Sequence, residues 1–243
     1  MSSIIKSFSE IWADEQSVSL GDWNVETVLN EECSSYIIYN SKMSEALLVD
    51  PKLEDEDSYR SIIATLSNYT WIGVIDTHTH ADHISIAAKM AESLNAPLIM
   101  HEKAVSRKVN LRVSKRTSIQ TKSGVLDLIL TPGHTPDSIT ALWGPFAITG
   151  DTVFHADVGR DDLPGGDAEA HFDSIQLLCK IVKPGAVMLP GHDFKGGRAS
   201  LWSTQLKINT SLTQRREDFV GEAKAFEASA PKNFKKALVE NFK

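Results

Sequence analysis

The stretch Thr77-His78-Thr79-His80-Ala81-Asp82-His83 places three histidines and an aspartate within six positions, 78 to 83. Imidazoles and carboxylates crowded this closely suit metal coordination better than packing, because buried polar groups need partners and one divalent cation supplies several. The same chemistry recurs downstream at His134, Asp151 and His192, each directly after a glycine. The spacing suits two ions. His78 and His80, alternate residues of a turn, can reach one, and His134 completes it. Asp82 and His83 can reach a second, completed by His192, while Asp151 has two oxygens and can bridge both. Two ions acting together stand roughly 3.5–4 Å apart. A donor set of imidazole and carboxylate without thiolate suits Zn, Fe, Mn or Ni. Gly133, Gly150 and Gly191 are expected to give the backbone the dihedrals that aim the next side chain.

Strands must deliver these residues. Residues 25–32, 35–40 and 45–50 read as strands punctuated by turns. Residues 57–66 have helical spacing, and 71–78 is a strand running straight into the histidine cluster. A helix over 84–94 follows, with Asp82 as N-cap, then a strand at 97–101. In the second half, 125–134 is a strand ending at a turn, and 138–143 and 146–151 pair around Gly144-Pro145. A helix spans 167–182, a strand 187–193, and the chain from about 199 is helical. Strands therefore end in the candidate ligands, and loops at the ends of adjacent strands converge. Two sheets stacked as a sandwich and covered by helices account for this order.

The bulk properties narrow the function. The chain has 243 residues, 42% of them hydrophobic and 23% charged, with a net charge of −7. That is enough for one sizeable core, and the acidic balance argues against nucleic acid or an anionic membrane surface. The basic segment Arg107–Arg116 reads as a solvated loop or helix face. Two cysteines, Cys33 and Cys179, are too few for a disulfide framework and read as reduced, buried thiols. No apolar run reaches signal-peptide or membrane-span length, so a cytoplasmic location is expected.

Four motifs, T-H-T-H-A-D-H (77–83), T-P-G-H-T-P-D-S (131–138), T-G-D-T-V-F (149–154) and L-P-G-H-D (189–193), together resemble the metallo-β-lactamase superfamily, over roughly residues 25–200. The resemblance implies an α+β fold: an αββα sandwich of two mixed sheets flanked by helices, with metals at one edge. Residues 1–24 would be an N-terminal extension packing on a single domain at 25–243 with C-terminal helices. Two branches look close. Glyoxalase II hydrolyses hydroxyacyl-glutathione thioesters, and persulfide dioxygenase oxidises glutathione persulfide with one iron. H-A-D-H-I-S, V-G-R-D-D-L (158–163) and G-H-D-F-K-G (191–196) look like the dioxygenases, whereas D-D-L-P-G-G-D (161–167) is similar to short glyoxalase-II-like hydrolases. Phe194 stands where the dioxygenases carry tyrosine. I-N-T-S-L (208–212) stands where both branches carry a basic N-P-x-L-R-like segment.

The leading expectation is a metal-dependent hydrolase of glyoxalase-II-like type. Two divalent ions (Zn, Fe or Mn) would bind at His78, His80, Asp82, His83, His134, Asp151 and His192, and a metal-bound hydroxide would attack a thioester or ester. Asp82 would also orient the nucleophile. The alternative is a persulfide dioxygenase with one Fe(II) on His78, His134 and Asp151. Arg160, whose planar fork pairs well with anions, Phe194 and Lys195 are the candidate substrate contacts, Lys195 being weaker, as is Arg198. His101, His155 and His171 are weak functional candidates, and Asp76 is either a partner of a ligand histidine or a turn residue. The expected partner is a small molecule, a glutathione adduct among the candidates. No nucleic acid or membrane is expected, and a homodimer is left open.

Overall fold

The computed structural model describes residues 17–30, 33–192, 194, 199–226 and 234–242. The first sheet runs in spatial order β1 (Ser17–Leu20), β2 (Trp23–Asn30), β3 (Cys33–Asn40), β4 (Glu45–Val49), β5 (Thr70–Ile75), β6 (Leu98–His101) and β7 (Leu111–Val113). β1 to β4 are antiparallel neighbours, and β4 to β7 are parallel. The second sheet contains β8 (Thr117–Thr121), β9 (Gly124–Leu130), β10 (Ile139–Trp143), β11 (Phe146–Gly150), β12 (Val187–Pro190) and β13 (Ser200–Leu201). Its spatial order is β13-β12-β11-β10-β9-β8. Only β11 and β12 pair in parallel there. Both sheets are mixed, as expected.

The strands alternate between two apolar destinations rather than between apolar and polar faces. In β4, Leu47 and Val49 point into the layer between the sheets, where they meet residues such as Leu128, Ile139 and Ile148. Leu48, between them, points outward to Tyr59 of α1 (Glu56–Thr65) and Met90 of α2 (Ala87–Leu94). Across the molecule, Phe146 and Ile148 of β11 face inward, and Ala147 meets α3 (Ala168–Ile181). Helices α4 (Trp202–Ile208) and α5 (Arg216–Ala225) complete that outer layer through Trp202, Phe219 and Val220. A strand covered on both faces is apolar at every position, which is why E-A-L-L-V carries no polar alternation. The result is a four-layer α/β/β/α sandwich. A last helix, α6 (Phe234–Asn241), packs by the histidine loop.

Several expectations shift. Within the expected N-terminal extension, Ser17 to Leu20 pair with Glu26 to Trp23 as strand β1. Residues 1–16 lie outside the described set. Helix α2 begins at Ala87 behind Ile86, so Asp82 is not its N-cap; its carboxylate is engaged elsewhere. The basic segment 107–116 is no helix face; it holds edge strand β7, with Arg112 bonded to the carbonyls of Glu102, Ala104 and Ser106. No helix of the described residues is long and apolar enough to cross a membrane.

Candidate metal centre

The site lies at one edge of the sandwich, where β4, β5, β9, β11 and β12 end. Strand β3 runs antiparallel to β4, so its first residues also lie there, Tyr36 being paired with Val49. The two sheets are stitched together at this edge. Ser34 N donates to Gly191 O (2.8 Å), Tyr36 Oη to Pro190 O (2.6 Å), and Ile139 N to Thr77 O (2.8 Å). Thr79 N donates to Asp137 Oδ2 (3.0 Å), joining the histidine loop to the T-P-G-H-T-P-D-S loop.

At Gly150, φ is +50°, and a Cβ would lie 2.6 Å from Thr77 Oγ1, so both conformation and space require glycine. Gly191 differs from the expectation about dihedrals. Its constraint is space, since a Cβ would collide with Asp151 Oδ1.

Hydrogen-bond partners fix which nitrogen of His78, His80, His83 and His134 is free. Asp50, at φ +48°, accepts from Thr77 N (2.7 Å) and Thr77 Oγ1 (2.9 Å). The Thr77 hydroxyl has its proton on Asp50, so it accepts from His78 Nδ1 (3.0 Å) and leaves His78 Nε2 as a lone pair. His80 donates from Nε2 to Asp50 Oδ1 (3.1 Å), and its Nδ1 is buried with no hydrogen-bond partner among the described residues. His134 donates from Nδ1 to Arg160 O (2.7 Å), which frees Nε2. His83 donates from Nδ1 to Asp82 Oδ2 (3.0 Å), and its Nε2 is likewise buried without a partner. Pinning one ring nitrogen to an acceptor is how proteins present the other to a metal. Four histidines here do so, and the two orphaned nitrogens lack the partner that buried polar atoms nearly always have. The residues fit divalent metal ions.

His78, His134 and Asp151 form one compact group, with a donor atom of each within 4.8 Å of the others. His80 lies beside His78, ring centroids 4.2 Å apart, and His83 beside His80 at 4.2 Å. His192 sits between the two acids, its Nδ1 3.0 Å from Asp151 Oδ1 and its Nε2 3.3 Å from Asp82 Oδ2. Charge follows this geometry. Burial and the cationic partner at His192 act in opposite directions on Asp151, and the partner prevails, holding it well below the usual carboxylate range. Burial pushes His78 down to about 3. Burial acts the same way on His80, but Asp50 outweighs it and lifts His80 to about 9. Burial raises Asp76 to about 7.

Three contributors were not foreseen. Asp50 anchors both His78 and His80; the end of E-A-L-L-V-D at a strand terminus was the available signal. Asp137 holds Thr79. Cys33 is half-buried, and its Sγ lies 3.0 Å from Asp82 Oδ2 and 3.4 Å from His192 Nε2, which places a sulfur beside the candidate donors. Asp76 accepts from Ser85 Oγ (2.6 Å) and stands 3.9 Å from His80, so Asp50 is the closer partner of that ring. Arg160 spends its guanidinium on Asp162 through two bonds of 2.6 Å, while its carbonyl orients His134. Phe194 stacks on His192 (5.0 Å, 8°). Lys195 and Arg198 lie outside the described residues. His101 Nδ1 accepts from Lys103 N (2.9 Å), and His155 Nδ1 from Gln205 Nε2 (3.0 Å). His171 is fully buried and bonds Asp161 (2.6 Å) and Thr152 O (2.8 Å), bracing two ligand loops. Trp202 belongs to the core.

A sheet sandwich with histidine and aspartate donors at one edge defines the class, and residues 30–192 match the model of the metallo-beta-lactamase superfamily. The chain belongs to that superfamily and to its metal-dependent enzymes. It is 26% identical over 188 residues to the persulfide dioxygenase ETHE1, mitochondrial, of Homo sapiens, covering 76% of this chain and 74% of that one. It is 32% identical over 166 residues to a probable polyketide biosynthesis zinc-dependent hydrolase, PksB, of Bacillus subtilis, covering 65% of this chain and 72% of that one. Among solved structures, ETHE1 from Myxococcus xanthus superposes with a TM-score of 0.82 at 28% identity, over 90% of this chain and 97% of that one.

Proposed function

We propose that the chain is a two-metal hydrolase of thioesters or esters. The observation carrying this reading is the pair of orphaned buried nitrogens, His80 Nδ1 and His83 Nε2. The His80 ring lies between His78 and His83, 4.2 Å from each, while His83 is bonded to Asp82. A single ion would leave one of them without a partner in a buried setting, at a cost of about 1–3 kcal/mol. His78, His80 and His134 would hold one ion, and Asp82, His83 and His192 the other, with Asp151 touching both. Bound there, the ions supply an acidified water and a Lewis acid for the carbonyl.

The protein's own groups do the rest. Asp50 and Arg160 O keep three ligand rings in the right tautomer. Asp82, the most exposed carboxylate of the set with 22% of its side chain open, can orient the attacking water. Phe154 and Phe194, both 5–6 Å from His192, shield that side of the site from bulk water and offer an apolar wall to an acyl chain.

A second reading rests on a different observation. His78, His134 and Asp151 by themselves make a two-histidine, one-carboxylate triad, the arrangement of mononuclear iron oxygenases. The likeness to ETHE1 over nearly the whole fold supports it. Phe194 has no hydroxyl to offer a glutathione persulfide, which favours the hydrolase. The test is a parallel assay of zinc- and iron-loaded protein against thioesters, simple esters and glutathione persulfide. Hydrolysis by zinc-loaded protein that Asp151→Ala abolishes is expected. Oxygen uptake with persulfide by the iron form alone, without hydrolysis, would replace it with the second reading.

A further inference from the structure

Among the described residues, Cys33 is the sulfur donor at this edge. It opens β3, and its backbone bridges to His192, so the two sheets hold the sulfur in place from both sides. Sγ lies 3.0 Å from Asp82 Oδ2 and 3.4 Å from His192 Nε2, and Cys33, Asp82 and His83 each bring a donor atom within 4.8 Å of the others. Ligands at about 2.0–2.3 Å from a tetrahedral zinc stand roughly 3.3–3.7 Å from one another. The spacing of sulfur, carboxylate and imidazole therefore approaches that of a coordination shell. A hydrogen-bonding role alone explains less: Asp82 Oδ2 already accepts from His83 Nδ1, and a thiol is a weak donor. His83 also keeps a buried Nε2 with no hydrogen-bond partner among the described residues.

We propose that Cys33 is a ligand of the second metal ion, forming with Asp82, His83 and His192 a thiolate-containing subsite, while the His78, His80 and His134 half stays free of sulfur. This rests on the two-metal reading above. On binding, the Cys33 S–H bond is exchanged for a metal–sulfur bond and its proton passes to solvent. The two subsites then differ in softness: the second favours zinc or cobalt over manganese or magnesium, and the first is less selective.

Cobalt titration of chelator-stripped protein tests this directly, because thiolate bound to Co2+ has its own near-ultraviolet charge-transfer absorption. The expected result is two ions bound, one of them bringing the band up in proportion to its binding. In Cys33→Ser the band is absent, the first ion binds unchanged, and the second binds at least about tenfold more weakly, as for other supporting groups of metal sites. One proton fewer is released than in the wild type. Cys179, bonded to Leu212 O away from this edge, serves as the internal control. Two Co2+ ions bound by wild-type protein with no thiolate band would overturn the role of Cys33 and leave the two-metal reading standing. Saturation at a single ion with no band would overturn both. The wild-type spectrum decides even where the serine variant folds poorly.

Discussion

Thr77 links the backbone to the chemistry. Its hydroxyl donates to Asp50 and accepts from His78, and Asp50 also takes the proton of His80, so one buried carboxylate sets two ligand tautomers. Asp50→Asn would turn an amide donor toward groups that themselves donate. Metal affinity is expected to fall about tenfold to a hundredfold, with the folded far-ultraviolet signal retained, as measured by competition with a chromogenic chelator. Unchanged affinity would reduce Asp50 to a turn residue. The seven histidine and aspartate candidates were legible because they are dense and share one chemistry. Asp50 and Cys33 were not. Each is a single residue in an apolar strand, and its partners lie far along the chain: Thr77 is 27 positions from Asp50, and His192 is 159 from Cys33. Only the pairing of β3 with β4 brings them to the same edge.

Between elements, single polar side chains do the fastening. Asn241, at the end of α6, donates from Nδ2 to His80 O and His83 O (both 2.9 Å) and accepts from Ser85 N (2.9 Å). The last helix thus closes over the backbone of the ligand loop. Asn241→Ala should cost about 1–3 kcal/mol in stability and quicken metal release, seen by stopped-flow mixing with a chelator. Release at the wild-type rate would make α6 a passive cover.

Glu45, at the start of β4, reaches across to the β8–β9 turn and accepts from Lys122 N (3.0 Å), Ser123 N (2.7 Å) and Ser123 Oγ (2.6 Å). Burial works to raise its pKa, but these bonds outweigh it and hold the carboxyl below its ordinary 4.5. A depressed folded pKa means stability that is present above the unfolded value and lost as pH falls through the folded one. Wild type should therefore exceed Glu45→Ala by about 2 kcal/mol at pH 7, with the gap closing as the pH drops below 4.5 in urea titrations. A gap independent of pH would mean that packing, not the carboxylate, holds the turn. Strands such as β4 and β11 were legible as continuous apolar runs. The start of α2 was not, because Asp82, a good N-cap by type, is drawn to His83, His192 and Cys33 instead.

For the molecule as a whole, the sandwich explains why acids and imidazoles accumulate at one edge. Two sheets with apolar layers on both faces leave polar residues few places except strand ends, and the ends of β4, β5, β9, β11 and β12 converge. The four-layer arrangement followed from the order of strands and helices. Three of the four edge strands, β1, β7 and β13, did not, since segments of two to four residues have no periodicity to read. The claim on which the rest depends is that this edge holds two ions. Elemental analysis of protein purified without oxygen or added metal tests it most directly. About two divalent ions per chain, lost together in Asp151→Ala, is the predicted result. One iron per chain that stays at one after exposure to excess zinc would contradict it.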